Sequence, residues 1–187
     1  MTPWTTNVAG AKDCIAALHG VIPVIETDRL VLRLPSISDW EVLEPIWTTD
    51  RAVHIGGPMS QEDAWLDFNQ LVAGWILRGH GALTICDKAG SVLGLVLLGH
   101  EFGDPQPELG WLLIEAAEGR GIATEAARAL LPMCRAIYGS DFASYIADGN
   151  DASVRVATKL GGKRTGTHPK GAHVAVYHYE EEGAAAL

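Results

Sequence analysis

Basic residues are scarce and scattered in this chain: 14 Lys and Arg stand against 23 Asp and Glu in 187 residues, a formal charge of −9. With no Lys/Arg run to neutralise successive phosphates, a general nucleic-acid binder is excluded. A cationic substrate, by contrast, would be attracted. Cysteine is equally sparse. Cys14, Cys86 and Cys134 lie far apart and form no CxxC pair, so neither a disulfide framework nor a zinc or other metal site is indicated, and reduced thiols in the cytoplasm are expected. No apolar run approaches the roughly 20 residues of a membrane-spanning helix. The opening MTPWTTNVAGAKDC also lacks a basic stretch followed by an apolar core, so a cytoplasmic protein without membrane attachment is expected.

What the chain does have is apolar mass. Hydrophobic residues make up 48% of it, enough to bury one full-sized core, so a single domain is expected. Structured patterning runs from Glu26 to about Tyr179, which gives a domain over 26–180, an N-terminal extension over 1–25 and a frayed tail over 181–187. The extension reads as a loose arm, as a short added helix around Lys12 to Leu18, or as a segment that packs on a partner subunit in a homodimer.

Glu26 to Leu34, ETDRLVLRL, alternates as a strand after a Thr-Asp turn. Ser38 and Asp39 are spaced to cap a helix through Trp47, and Ser60 with Asp63 forms a capping box for a second helix to about Leu77. His54, Ile55, Gly56, Gly57 and Pro58 make the loop between them. Ala82 to Cys86 and Val92 to Gly99 are apolar runs around DKAGS, whose Asp87 and Gly90 suit a hairpin, and Glu108 to Ile114 is the third strand of that meander. Phe142 to Ala147 predicts a further strand. Asn150 or Asp151 caps a helix that Gly161 and Gly162 stop, and His173 to Tyr179 alternates as the last strand.

The stretch from Glu108 to Arg135, ELGWLLIEAAEGRGIATEAARALLPMCR, organises the rest. It combines a strand, a tight loop with Gly119 and Gly121, and a helix whose apolar face recurs at Ile122, Ala126, Leu130, Met133 and Ile137. A helix opening from a glycine loop offers unpaired N–H groups and a positive dipole end, which together suit phosphate. Two nucleotide motifs fail here. No Lys follows the second glycine as a P-loop requires, and Thr124 stands where GxGxxG needs its third glycine.

The loop instead resembles the central R/Q-x-x-G-x-G/A motif of the GNAT superfamily of acetyl-CoA-dependent N-acetyltransferases. Here it reads Glu118, Gly119, Arg120, Gly121, Ile122, Ala123, and the continuation ATEA resembles the RimJ/RimL branch, as does the opening ETDRLVLR. NDASVRVATKLGG resembles the family's closing motif, with Asn150, Ser153, Lys159 and Gly161 in register. Three residues depart from the pattern. Glu118 replaces Arg or Gln, Gly162 replaces Phe, and Ala157 stands where many members carry a Tyr that protonates the coenzyme thiolate. The order of elements matches the GNAT fold from about Glu26 to Tyr179, an α/β (α+β) architecture with a mixed, mostly antiparallel twisted sheet flanked by helices.

Acetyl transfer to an amine needs a neutral nucleophile, a polarised thioester carbonyl and a proton for the departing thiolate. The resemblance implies direct attack in a ternary complex, on a protein N-terminal α-amino group or a small amine. Antibiotic or polyamine acetylation and a non-catalytic acyl-CoA sensor are the alternatives. It assigns Glu108 as the base and Ser153 as the acid. Backbone N–H groups of Leu112, Leu113 and Ile114 would meet the pantetheine arm and the acetyl oxygen. Glu118, Gly119, Arg120, Gly121, Ile122, Ala123 and Thr124 would hold the pyrophosphate, with Arg120 as an added cation, Thr124 as a hydroxyl donor and Asn150 on the coenzyme arm. Trp47, His54 and Trp65 are candidates for shaping the acceptor site, and His100, Glu101 and Tyr145 are reserve acid–base groups, each also readable as scaffold.

Overall fold

The computed structural model describes residues 12–169, 171 and 173–180, so the first part of the extension and the tail over 181–187 lie outside the described residues. Helix α1 (Lys12–Val21) precedes strands β1 (Ile25–Glu26) and β2 (Leu30–Arg33). Helices α2 (Trp40–Leu43), α3 (Pro45–Thr48) and α4 (Gln61–Arg78) follow, then β3 (Ala82–Asp87), β4 (Val92–Gly99) and β5 (Glu108–Leu113). After these come α5 (Ile122–Tyr138), β6 (Ala143–Ala147), α6 (Asp151–Lys159), β7 (Gly162–Thr167) and β8 (Val174–Tyr179). The strands form one sheet in the order β1-β2-β3-β4-β5-β6-β8-β7, antiparallel at every step except β5 to β6. Among the described residues no helix is long and apolar enough to cross a membrane.

Strand β4, VLGLVLLG, is apolar at nearly every position because it is covered on both faces. Val96 and Leu98 join Leu30, Leu32, Ile85 and Leu109 beneath Ile122, Ala126 and Leu130 of α5. Leu95 and Leu97 face the other way, onto Trp40, Trp47, Phe68 and Leu71. The apolar stripe of α5 ends earlier than its sequence period predicts. Ile137 is exposed, and the buried face closes at Leu131 and Cys134.

The helix expected through Trp47 is broken. A short 3-10 turn, Ile37–Asp39, is capped by Ser36, and Pro45, which has no N–H to donate, separates α2 from α3. Asp39 completes the capping box of that turn with Ser36 and also turns inward. Its carboxylate takes both Arg33 Nη atoms (2.8 Å each), the Thr84 hydroxyl (2.8 Å) and the Ser36 N–H (2.9 Å), and these partners outweigh burial to hold it below the usual carboxylate range. Strand β7 has no counterpart in the expected elements. Its residues, GKRTGT, are nearly all exposed, so only ladder bonds to β8 make it a strand.

Candidate active site

Among the described residues the one parallel step in the sheet is also its weakest, since β5 and β6 share a single register pair, Glu108 with Ala143. Beyond it the two strands part. The Leu109 carbonyl, left without a ladder partner, accepts from the Ser144 hydroxyl, which in turn receives the Tyr179 hydroxyl (2.7 Å). Further along the split, Trp111 reaches across to α6, its indole N–H donating to Ser153 Oγ (3.2 Å). The gap opens into a cleft of about 800 Å³ that extends from the start of α5 to the segment after α3.

Backbone direction along β5 follows from one bond. Ile114 N–H donates to Leu93 O of β4 (3.0 Å), so by alternation Gly110 and Leu112 also bond toward β4. The groups that face the split are those of Leu109, Trp111 and Leu113. This corrects the expectation for Leu112 and Ile114, whose N–H groups belong to the sheet.

At one end of the cleft the glycine loop enters α5. Gly119 (φ +69°) and Gly121 (φ +77°) hold left-handed conformations, the physical reason for glycine at both positions. Gly121 is the N-cap of α5 and has no side chain with which to cap the first-turn amides of Ile122, Ala123 and Thr124, which line the cleft and fit an anion. Two other bonds fix that helix end. Glu125 accepts from the Thr27 hydroxyl (2.6 Å) and from Arg29 Nε (2.7 Å), joining ATEA to ETDR, and these bonds hold its carboxyl low against the opposing effect of burial.

Arg120 departs from its expected role. Its guanidinium turns back to Ala116 O (3.3 Å), and it is absent from the cleft lining. The cation beside Glu118 in the cleft is Arg51, from the 3-10 turn Asp50–His54, which pairs with Glu118 and donates to Leu113 O (3.2 Å), while Arg155 and Lys159 line the cleft from α6. Glu118, the departure from the motif, is therefore neutralised by a residue 67 positions away.

Toward the other end, Glu108 projects from β5 on the same face as Gly110 and Leu112. Its carboxyl is pushed up to about 8, first by burial, then by Glu101, with Asp104 and Asp67 adding to the effect and the Tyr145 N–H opposing it. Asp67 is raised by burial and held by the Trp47 indole (2.6 Å). Glu108, Asp67, Glu101 and Asp104 thus line the cleft together, with Trp47, His54, Tyr145 and His168 among their neighbours. Trp65 packs edge-on against Trp40 instead, as core. Tyr145 is tied to Gln106, donating to its carbonyl (3.0 Å) and accepting its N–H (3.2 Å), and burial pushes its phenol to about 12.

Asn150 and Ser153 both line the cleft, and Asn150 also caps α6, its Oδ1 accepting the Ser153 N–H (3.1 Å). Ala157 is buried among Ile146, Ala175 and Tyr177. Gly162 has a steric cause, because a Cβ there would stand 2.9 Å from Ala157 O and from the Tyr179 ring. Tyr179, stacked on Phe142, fills that space.

Sequence reasoning missed Arg51 and Asp67, which occupy ordinary helical or turn positions with no motif around them. The Arg29–Glu125 contact was within reach, since both residues lie in motifs already singled out.

An acetyltransferase (GNAT) domain profile matches residues 29–163. The fold and chain are similar to an acetyltransferase from Agrobacterium tumefaciens (34% identity, TM-score 0.81, covering 86% of this chain and 95% of that one). A GnaT-family acetyltransferase from Bordetella pertussis is 28% identical (TM-score 0.68, covering 84% and 99%). The RimL ribosomal L7/L12 alpha-N-protein acetyltransferase shares the fold at 20% identity (TM-score 0.65, covering 85% and 94%). Comparison with the curated proteins gives no match.

Proposed function

The chain belongs to the GNAT acetyltransferase family, and from that membership we propose that it acetylates a positively charged primary amine held among Glu108, Asp67, Glu101 and Asp104. The observation that carries the acceptor class is the convergence of these carboxyl groups at the point where β5 and β6 part. An amine in water is an ammonium ion, and an acidic, partly dehydrated cleft attracts it. It must then lose a proton before it can attack.

Glu108 suits that proton transfer because its raised proton affinity lies near neutral pH, where a general base works best. Acetyl-CoA, the co-substrate of this family, would supply the thioester. Its pyrophosphate fits the uncapped start of α5, and its pantetheine arm fits the cleft-facing backbone of Trp111 and Leu113. Ser153 accepts from Trp111, which leaves its own hydroxyl proton to offer to the departing thiolate. Attack is direct, in a ternary complex.

The test is a thiol-release screen across monoamines, polyamines and peptides with free N-termini. Diamines and polyamines should saturate the enzyme at the lowest concentrations, because a second positive charge has a second carboxylate to meet. Release of CoA with neutral-side-chain peptides alone would overturn the cationic acceptor in favour of a protein N-terminus.

A further inference from the structure

We infer that Arg51 is a cation that meets the coenzyme's phosphates, and that Glu118 competes with them for it. This rests on the reading of the cleft as an acetyl-CoA site. Arg51 stands at the junction of the two coenzyme tracks. One Nη atom contacts both the Leu113 carbonyl, on the split side of β5, and the Glu118 carboxylate, the residue immediately before the first left-handed glycine. The same residue lines the cleft with Gly119, Gly121 and Thr124.

Arg155 and Lys159 line the cleft from α6, and Arg29 and Arg120, beside the start of α5, are directed elsewhere. Arg29 is held by Glu125 (2.7 Å through Nε) and by the Arg120 carbonyl (3.2 Å), and Arg120 donates to Ala116. From the loop itself a pyrophosphate would meet backbone dipoles and, beside them, an acidic side chain that repels it. A guanidinium carries five N–H donors, and the two contacts seen here use a single nitrogen, so the rest of the fork is available to phosphate oxygens. When the pantetheine arm takes up the Leu113 carbonyl, Arg51 is released from the strand and shifts toward the phosphates. Glu118 then sets the strength of that contact, since it draws on the same charge.

The departure from the motif, Glu118 in place of Arg or Gln, thus has its counterpart in Arg51. The positive charge beside Glu118 comes from the segment between α3 and α4, which also supplies His54, Ile55 and Met59 to the cleft.

The experiment compares acetyl-CoA with S-acetylpantetheine, which lacks every phosphate, on the wild-type protein, Arg51→Gln and Glu118→Gln. Dissociation constants are read by calorimetry and by displacement of a fluorescent coenzyme analogue. Arg51→Gln should weaken acetyl-CoA by about 10- to 100-fold, the worth of a hydrogen bond to a charged group, and leave S-acetylpantetheine within about twofold. Glu118→Gln should tighten acetyl-CoA several-fold and leave S-acetylpantetheine unchanged, a gain that misfolding cannot mimic. Equal loss for both ligands in Arg51→Gln, or tighter acetyl-CoA binding by it, would overturn the assignment and make Arg51 a plug on the strand. Failure of the wild-type protein to bind acetyl-CoA would instead overturn the coenzyme reading itself.

Discussion

Glu108 draws its character from one position in the sheet, the last register pair before β5 and β6 separate. Burial and the neighbouring Glu101 raise its carboxyl from 4.5 to about 8, so below that pH it holds its proton and cannot act as a base. The rate constant kcat/KM should therefore rise with pH through about 8 and level off above it. Glu108→Gln should remove that rising limb and lower turnover by about 10²- to 10⁴-fold, the range typical of acid–base groups, with acetyl-CoA affinity unchanged. An unaltered pH profile in the variant would exclude Glu108 as base. Stability carries the opposite sign. Because the folded protein holds this proton more tightly than the unfolded chain, ionisation destabilises it as pH rises from about 4.5 to about 8. Glu108→Gln should then raise the melting temperature relative to the parent at pH 9 but not at pH 4. Ser153→Ala removes a hydroxyl that accepts from Trp111, while the cap of α6 survives through the backbone N–H of residue 153. A turnover loss comparable to that of Glu108→Gln would mark it as the acid, and a loss confined to coenzyme affinity would mark it as a contact. Glu108 was singled out in the sequence through the family resemblance, which proposes it as the base. Asp67 was not, because one acidic residue along α4 looks like any other until Trp47 and the cleft wall close around it.

Among the elements, the passage from β5 into α5 joins conformational demand most directly to binding. Gly121 holds φ +77°, and a Cβ there would have only Arg29 Nη2, 3.7 Å away, as a neighbour. A substitution is thus opposed by backbone strain and not by a clash. Gly121→Val should lower stability by about 1–3 kcal/mol and, by turning the first-turn amides, weaken acetyl-CoA more than tenfold. Chemical denaturation and calorimetry read the two effects separately. Coenzyme binding equal to the parent's would show that this helix end is not the phosphate site. Periodicity made α5 and β4 legible, because each buries an apolar face whose spacing is written in the chain. It could not make β7 legible, since an exposed edge strand buries no face and is defined by the β8 backbone alone.

Across the whole molecule, the cleft divides the sheet into two parts, β1 to β5 and β6 to β8, joined by a single register pair. A ligand touching β5, the start of α5 and α6 spans both parts and should stabilise them as one unit. At a concentration near ~100 times its dissociation constant, acetyl-CoA should add about 2.7 kcal/mol and raise the melting temperature by about 5–10 °C. Absence of any shift at millimolar acetyl-CoA would remove the coenzyme site from this cleft. The sequence by itself determined the family, the glycine loop and the order of the elements that bury an apolar face, because backbone angles and apolar spacing are local properties that residue type reports directly. Only the tertiary structure decided that Arg51 answers Glu118, that Glu125 ties α5 to the β1–β2 turn, and that four separated carboxyl groups face one cleft. Those are contacts between residues distant along the chain, and side-chain charge acts through space, which the order of residues does not record.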